Sequence, residues 1–192
     1  MRKKWKMEIE YKITFEEFKN IIKTLEKENI DYFVYGGFAF DGVNNEKKNH
    51  EDLDLIFFMK DKIEVVNLFK RMGYIAYLHG RKHDYRKENI RIDVLFMNDL
   101  GDCYEILGNI KKDKISKEAF TIKNKVKIKD FEFTIMPFEW FSLYYDSHHL
   151  ETKKKKLNEF IKKIRPLCKE LPILSQDKVD KPENMKKIEI ML

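Results

Sequence analysis

The chain has few of the residues that mark disulfide-rich, zinc-binding or membrane-spanning proteins. It contains two cysteines, Cys103 and Cys168, among 192 residues, which are too few for a disulfide framework and cannot form a zinc site by themselves. No apolar run approaches the length needed to cross a bilayer, because charged residues interrupt every hydrophobic stretch. The basic residues 1–6 are followed by Glu8 and Glu10, where a signal peptide needs an apolar core. We therefore expect a soluble cytoplasmic protein with no membrane partner.

The sequence also lacks a strong excess of either charge. It carries 39 basic and 33 acidic side chains, a net charge of +6, and this mild basic bias is not the footprint of a nucleic-acid coat protein. Apolar residues make up 43% of the chain and aromatic residues 14%, which is enough for a sizeable core and argues against disorder over the whole chain. The length fits one domain, with or without a helical appendage.

Apolar spacing predicts two helices in the first half of the chain. Thr14 and Glu17 match a capping box at the start of the first helix, and its apolar residues recur at helical spacing up to Leu25. The second helix is expected over residues 62–72, where four residues form a core stripe with Leu68 alongside. The stripe consists of Ile63, Val66, Phe69 and Met72.

Short runs of apolar and β-branched residues predict the strands. They lie at residues 32–35, 53–59, 74–78 and 90–97, with two or three further β segments within residues 120–136. The continuous apolar run at residues 55–58 is typical of a central strand covered on both faces. Between the strands we expect a short helix at residues 38–40, a loop over residues 42–49 and a polar turn region over residues 80–89.

The order of these elements predicts an α/β or α+β domain. Helices and strands alternate early, strands dominate the middle, and helices close the chain. Pro137 suits the first turn of a helix, and Pro166 is expected to end or kink a second one. We therefore expect a core domain over residues 1–136, a C-terminal helical part packed on it over residues 137–171, and a tail over residues 172–192.

Three aspartates are the strongest chemical signal. Asp52 and Asp54 begin a predicted strand, and residues two apart on a strand point to the same face. Two carboxylates so close repel each other unless a cation lies between them, and hard oxygen ligands suit Mg²⁺ or Mn²⁺. Asp93 interrupts another apolar strand, where an unpaired charge is unfavourable. A third carboxylate on an adjacent strand would complete a site for one or two metal ions that orient a triphosphate.

Gly36 and Gly37 lie at the end of a predicted strand, just before a predicted helix. Without side chains, they let backbone N–H groups approach phosphates, and the helix dipole assists. Each piece alone has an ordinary interpretation: the Asp-x-Asp pair as surface, the glycines as a turn, and Asp93 as a satisfied structural residue. The order of strand, Gly-Gly, helix, loop and Asp-x-Asp strand, with a later aspartate in a strand, favours a functional site.

At these residues the sequence resembles a known superfamily. Residues 36–41, Gly-Gly-Phe-Ala-Phe-Asp, and residues 50–54, His-Glu-Asp-Leu-Asp, resemble the signature of the DNA polymerase β-like nucleotidyltransferases, in the variant of the aminoglycoside and lincosamide nucleotidyltransferases. That variant reads Gly-Gly-Trp-Ala-x-Asp and then Arg-x-His-x-Asp-Ile-Asp. Here Phe38 replaces the Trp, Lys48 the Arg and Leu53 the Ile.

The resemblance implies a nucleotidyltransferase fold, a small mixed sheet with helices packed on one side. It implies that Asp52 and Asp54 hold Mg²⁺, with Mn²⁺ as a possible substitute. Asp93 would be the third metal-binding carboxylate and the general base for the acceptor hydroxyl. Gly36 and Gly37 would bind the triphosphate.

Three further residues match the motif. Lys48 stands at the Arg position, where it could neutralise phosphate charge, although a solvated loop lysine is an equal alternative. For Asp41 and His50 we expect structural roles, with both side chains orienting the loop that leads to the Asp-x-Asp strand.

The implied activity is a metal-dependent transfer of NMP, most simply AMP from ATP, to a hydroxyl of a small molecule, with release of pyrophosphate. Nucleotidylation of RNA, such as a tRNA end, or of a protein is an alternative. The basic second half mildly favours RNA, but no aromatic-basic RNA-binding motif is evident. A non-catalytic nucleotide-binding protein on the same fold is a further alternative, against which the three intact carboxylates argue.

Overall fold

Helices precede and separate the strands in the first half of the chain. The computed structural model describes residues 10–79, 82–97, 123–138, 141, 159 and 162–163. Its helices of more than one turn within these ranges are α1 (Phe15–Lys27), α2 (Gly36–Asn44) and α3 (Lys62–Arg71). Over the same ranges the strands are β1 (Tyr32–Tyr35), β2 (Leu53–Phe58), β3 (Ile75–His79), β4 (Lys82–Lys87), β5 (Ile90–Met97), β6 (Asn124–Ile128) and β7 (Phe131–Ile135).

The strands of the described ranges form one seven-stranded mixed sheet in the order β3-β4-β5-β2-β1-β7-β6. Strand β2 is central, because it pairs in parallel with β5 and antiparallel with β1. Four of its six residues are buried, which confirms the expectation of a covered central strand. The sheet is thus mixed, as the resemblance implies.

Helices α1, α2 and α3 pack on one face of this sheet. Register places Leu55 beside Val34, and Val34 beside Ile135, so these residues share a face with Phe57 and Phe133. The Phe133 ring lies 4.9 Å from that of Phe18 in α1, and the Phe57 ring lies 6.3 Å from that of Phe69 in α3. In α2, Phe38 stacks on Phe18 at 4.2 Å. The opposite face therefore carries the alternate residues, among them Asp54 and Asp93.

The start of α1 follows the predicted capping box. The Thr14 N–H donates to Glu17 Oε2 at 2.7 Å, and the Glu17 N–H donates to Thr14 Oγ1 at 3.3 Å. The buried residues of the helix recur at helical spacing and all face the sheet. They are Phe15, Phe18, Ile21, Ile22 and Leu25.

The structure corrects the sequence-based boundaries at two places. Residues 82–87, expected within a polar turn region, form β4, because Tyr85 packs into the core while its charged neighbours Asp84 and Arg86 pair with each other. Helix α2 begins at Gly36 and runs to Asn44, so the expected loop starts only at Asn45, where a left-handed conformation (φ 54°) ends the helix.

The core stripe of α3 also departs from the predicted one, at its first position. Ile63 is 75% exposed, whereas Val65, Leu68 and Phe69 are buried. A 3₁₀ turn at Met59–Asp61 precedes the helix, and the helix that follows it turns Ile63 toward solvent. The prediction is therefore wrong for Ile63 and confirmed for Phe69 and Leu68, while Val66 and Met72 are partly buried against the core.

The C-terminal half of the chain is described only in part. Phe138 is helical, and the N–H of the helical residue Phe141 donates to the Pro137 carbonyl at 3.3 Å, as expected of a helix that starts near Pro137. Most of the predicted helical part at residues 137–171 and all of the tail at residues 172–192 lie outside the described residues. Within the described ranges, no helix combines the length and apolarity needed to span a membrane.

Substitution of Phe18 tests the packing of α1 against α2 and β7. Phe18→Ala is expected to lower the free energy of unfolding by about 3–5 kcal/mol, because it removes a fully buried ring that contacts α2 and β7. The exposed Ile63 is the matched control, and Ile63→Ala is expected to change stability by less than about 0.5 kcal/mol. Urea denaturation followed by circular dichroism measures both. Equal losses would contradict the packing of α1 against α2 and β7.

Candidate active site

Strands β2 and β5 bring three carboxylates together on the face opposite the helices. Their parallel register pairs Asp54 with Asp93, and Asp52 lies two residues before Asp54, on the same side. One carboxylate oxygen from each of the three residues lies within 4.8 Å of the others. Asp93 is 2% exposed, while Asp52 and Asp54 are half-buried. The arrangement places three negative charges in a volume that suits a divalent cation.

Arg91 forms two hydrogen bonds with Asp93, the most buried of these carboxylates. Its Nε donates to Asp93 Oδ1 and its Nη2 to Asp93 Oδ2, both at 3.0 Å, the two-point geometry that guanidinium and carboxylate groups prefer. Burial lowers the pKa of the Arg91 guanidinium, but the charges of Asp93, Asp84 and Asp52 outweigh that effect and raise its pKa overall. Arg91 therefore stays charged beside the cluster.

A fourth carboxylate, that of Asp84, lies beside this cluster. Asp54, Asp93 and Asp84 follow one another across the sheet, and together with Asp52 they are called the acidic row below. Register places Asp84 of β4 directly opposite Asp93, and Asp84 is 2% exposed. Arg86 donates to its Oδ2 through Nε at 2.9 Å, and Arg91 Nε lies 3.5 Å from the same oxygen. Sequence reasoning missed Asp84 because β4 looked like a turn. The alternation of Asp84 and Arg86 with the core residue Tyr85 was the signal that could have revealed it.

The two glycines make room for neighbouring side chains of the site. Gly36 has φ +64°, and a Cβ at that position would lie 1.9 Å from Asp54 Oδ2. A Cβ at Gly37 would lie 2.3 Å from His50 Nδ1. The glycines thus allow the backbone at the start of α2 to approach Asp54 and His50 closely, a role that the sequence argument about phosphates did not include.

The loop before Asp52 is organised by Asp41. Its Oδ2 lies 3.0 Å from His50 Nε2 and accepts the Lys48 N–H at 3.0 Å, while its carbonyl accepts the Glu46 N–H at 2.9 Å. The Phe38 ring meets the His50 ring edge-on at 4.5 Å. These contacts match the structural roles expected of Asp41 and His50. The Lys48 ammonium is exposed and paired with Glu46.

The segment before α1 ties this loop to the β4–β5 hairpin. Ile13 and His50 exchange two backbone hydrogen bonds, of 2.8 and 3.1 Å, and the Lys12 N–H donates to the Asn89 carbonyl at 2.8 Å. Because Asn89 lies in the turn between β4 and β5, one short segment contacts both the loop before β2 and the turn before β5. The relative position of Asp52 and Asp93 is thus supported from outside the sheet as well.

This mixed sheet, with α1–α3 on one face and the carboxylates of β2 and β5 on the other, has the nucleotidyltransferase fold. The comparisons with known proteins give the family. The model of the aminoglycoside-2''-adenylyltransferase family matches residues 17–154, a stretch that includes all of the site residues above, and the chain belongs to this family. No curated protein sequence matches the chain significantly.

Solved structures of the same fold agree with this assignment. The lincomycin-bound crystal structure of the lincosamide antibiotic adenylyltransferase LnuA has 17% identity and a TM-score of 0.57, over 80% of this chain and 97% of that one. The solution structure of the antibiotic-resistance factor ANT(2'')-Ia has 14% identity and a TM-score of 0.53, over 78% and 81%. A nucleotidyltransferase-like protein from Paracoccidioides brasiliensis has 14% identity and a TM-score of 0.50, over 81% and 78%. At these identities the likeness concerns the fold.

Gly36→Ala tests the close approach of Asp54 to the helix start. Gly73, which also has a positive φ (+84°), is the matched control, because the nearest atom to a Cβ there would be 3.7 Å away. We expect Gly73→Ala to destabilise the fold by about 1 kcal/mol through backbone strain alone, and Gly36→Ala by about 1–3 kcal/mol more through the added overlap. Urea denaturation measures the difference. Equal effects would show that Asp54 moves aside at no cost.

Proposed function

We propose that the protein transfers AMP from ATP to a hydroxyl group of a small, amine-bearing antibiotic and releases pyrophosphate, with a divalent cation as cofactor. The observation that carries the proposal is the convergence of Asp52, Asp54 and Asp93 within 4.8 Å beside the glycines that open α2. Membership in the aminoglycoside-2''-adenylyltransferase family supports the reaction class.

The donor set fits a hard divalent cation. Asp52, Asp54 and Asp93 offer only carboxylate oxygens, and their mutual distances allow one ion to bridge them. These residues would hold Mg²⁺, and Mn²⁺ would accept the same ligands. When bound, such an ion neutralises charge on the triphosphate and on the leaving pyrophosphate. Without a cation, the repulsion between the three carboxylates opposes their close approach.

The start of α2 is the proposed phosphate-binding element. Gly36 and Gly37 lie at its first two positions, where backbone N–H groups and the helix dipole favour an anion. Lys48 is a second candidate for contact with the phosphates. Its ammonium is paired with Glu46, so it would have to exchange that exposed partner for a phosphate oxygen, and exposed ion pairs of this kind are weak.

Asp93 is the proposed general base. The acceptor oxygen forms a bond to the α-phosphorus, the bond from that phosphorus to the bridging oxygen breaks, and pyrophosphate leaves with the electron pair. The hydroxyl proton passes to the Asp93 carboxylate, which lies in the centre of the acidic row. The β2–β5 register, which pairs Asp93 with Asp54, supports this proposal.

The charge of the surrounding face supports an amine-bearing acceptor. The site contains four carboxylates, those of Asp52, Asp54, Asp84 and Asp93, against the two guanidinium groups of Arg86 and Arg91. A divalent cation would offset this excess when it binds, but bound ATP adds negative charge of its own, so the loaded site would still attract a polycationic acceptor. LnuA and ANT(2'')-Ia are named for antibiotics, whereas the comparisons give no support to an RNA acceptor. Aminoglycosides and lincosamides are therefore the acceptors we propose.

Asp54→Asn tests the catalytic role of the cluster. We expect a loss of at least about 100-fold in AMP transfer and weaker Mg²⁺-dependent binding of ATP in calorimetric titration. Thermal stability should be equal or higher, because one repelling charge is removed. Asp130→Asn, in the exposed turn between β6 and β7, is the matched control and should behave as wild type. If Asp54→Asn kept full activity, the assignment of the site would be wrong.

The acceptor is tested by incubating wild-type protein with ATP, Mg²⁺ and a panel of aminoglycosides and lincosamides. We expect a product whose mass equals that of one acceptor plus an adenylyl group, formed together with pyrophosphate. EDTA and the Asp54→Asn variant should both abolish it. A labelled tRNA fraction serves as the competing acceptor. Transfer to RNA, with none to any antibiotic, would overturn the proposed acceptor class and leave the transferase activity standing.

A further inference from the structure

Arg91 occupies both oxygens of the carboxylate that lies at the centre of the acidic row. Its Nε and Nη2 donate to Asp93 Oδ1 and Oδ2 at 3.0 Å each. At least one oxygen of Asp93 belongs to the three-carboxylate set whose ligand atoms lie within 4.8 Å of one another. A cation bound by that set and the Arg91 guanidinium therefore draw on the same carboxylate.

We propose that Arg91 is a positioning residue that competes with the divalent cation for Asp93, holding this carboxylate in place until the cation binds. The inference rests on the proposed function only in assigning the three-carboxylate set to a divalent cation. It assigns Arg91 no contact with ATP or acceptor.

The neighbouring strand offers Arg91 a second partner. Asp84 lies directly opposite Asp93 in the β4–β5 register, and its Oδ2 is 3.5 Å from Arg91 Nε. After a small rotation, the Arg91 guanidinium would thus bind Asp84 in place of Asp93 and would not have to enter an apolar region. Asp84 is well suited to receive it, because its side chain is 3% exposed and fixed by Arg86. This arrangement gives the buried Asp84, outside the cation-binding set, a role in the same site.

If Arg91 and the cation compete for Asp93, removing Arg91 should lower the stability of the cation-free fold and raise the affinity for the cation. In the absence of a cation, Asp93 loses a charged, two-point partner, so the fold should become less stable. In the presence of a cation, a competitor and a like charge are both gone, so the cation should bind more tightly. Loss of a like charge alone would raise the cation affinity only as much as removal of another arginine of the site does.

The experiment measures Mn²⁺ binding to the full chain by electron paramagnetic resonance, without nucleotide, and melting temperatures with and without saturating Mn²⁺. In Arg91→Gln we expect Mn²⁺ affinity to rise by about tenfold, a lower melting temperature without cation, and a larger gain on adding Mn²⁺ than in wild type. Arg91→Lys keeps the charge but loses the two-point geometry, so its affinity should rise by a smaller factor. This variant also decides the matter if Arg91→Gln does not fold.

Arg86→Gln is the matched control. Arg86 lies opposite Arg91 in the register, but its guanidinium is bound to Asp84 and lies over the rings of Tyr11 and Tyr77. Its removal deletes the same charge from the same face but leaves the Arg91 guanidinium in the site, where it still binds Asp93 or Asp84, so the rise in Mn²⁺ affinity should be clearly smaller than in Arg91→Gln.

Unchanged or weaker Mn²⁺ binding in both Arg91 variants would overturn the competition, and so would an equal rise in Arg86→Gln, which would indicate a general field effect. If neither wild type nor any Arg91 variant bound Mn²⁺, the cation assignment of the proposed function would itself fail. Wild type that binds Mn²⁺ while the Arg91 variants do so no more tightly would leave the proposed function intact and refute this inference alone.

Discussion

Repulsion between carboxylates on neighbouring strands is the constraint on which the rest of the site depends, because other groups of the site must compensate it. Parallel hydrogen bonding between β2 and β5 fixes Asp54 beside Asp93, and neither can move far without breaking the centre of the sheet. Like charges this close raise the free energy of the fold unless a cation or a basic side chain compensates them. Arg91 provides that compensation within the chain, and a divalent cation would provide it during the reaction.

The apolar core between the sheet and α1–α3 stabilises the fold and so offsets the repulsion between these carboxylates. Aromatic rings from α1, α2 and β7 form a dense core on one face, and the sheet is anchored there by burial of apolar surface. The opposite face is then able to carry ionic groups at its centre. The loop leading to Asp52 is held by Asp41 and His50, and not by packing alone, so its position depends on polar contacts that a few substitutions could remove.

The sequence predicted the parts of the site that depend on local pattern. Asp52 and Asp54 share a face because the strand period is two, and a Gly-Gly pair after a short apolar run marks a strand-to-helix turn. The exact pairing of Asp93 with Asp54 depends on register between distant segments, which no local pattern encodes. Asp84 was missed because the polar residues around it favour a turn, and its place in a strand follows from pairing with β5. Ile63 fits the helical period of α3 but is exposed in its first turn, which the period alone does not reveal.

The central position of β2 also decides which kinds of genetic change the protein can absorb. Inserting or deleting one residue at the start of this strand, before Asp54, would reverse the facing of the side chains after it, carrying Asp54 into the aromatic core and an aliphatic neighbour into the acidic row. The same change at the Lys129–Asp130 turn would merely lengthen or shorten a hairpin at the sheet edge. Divergence of β2 must therefore proceed by substitution at constant length, while length variation is confined to the loops and hairpins around it.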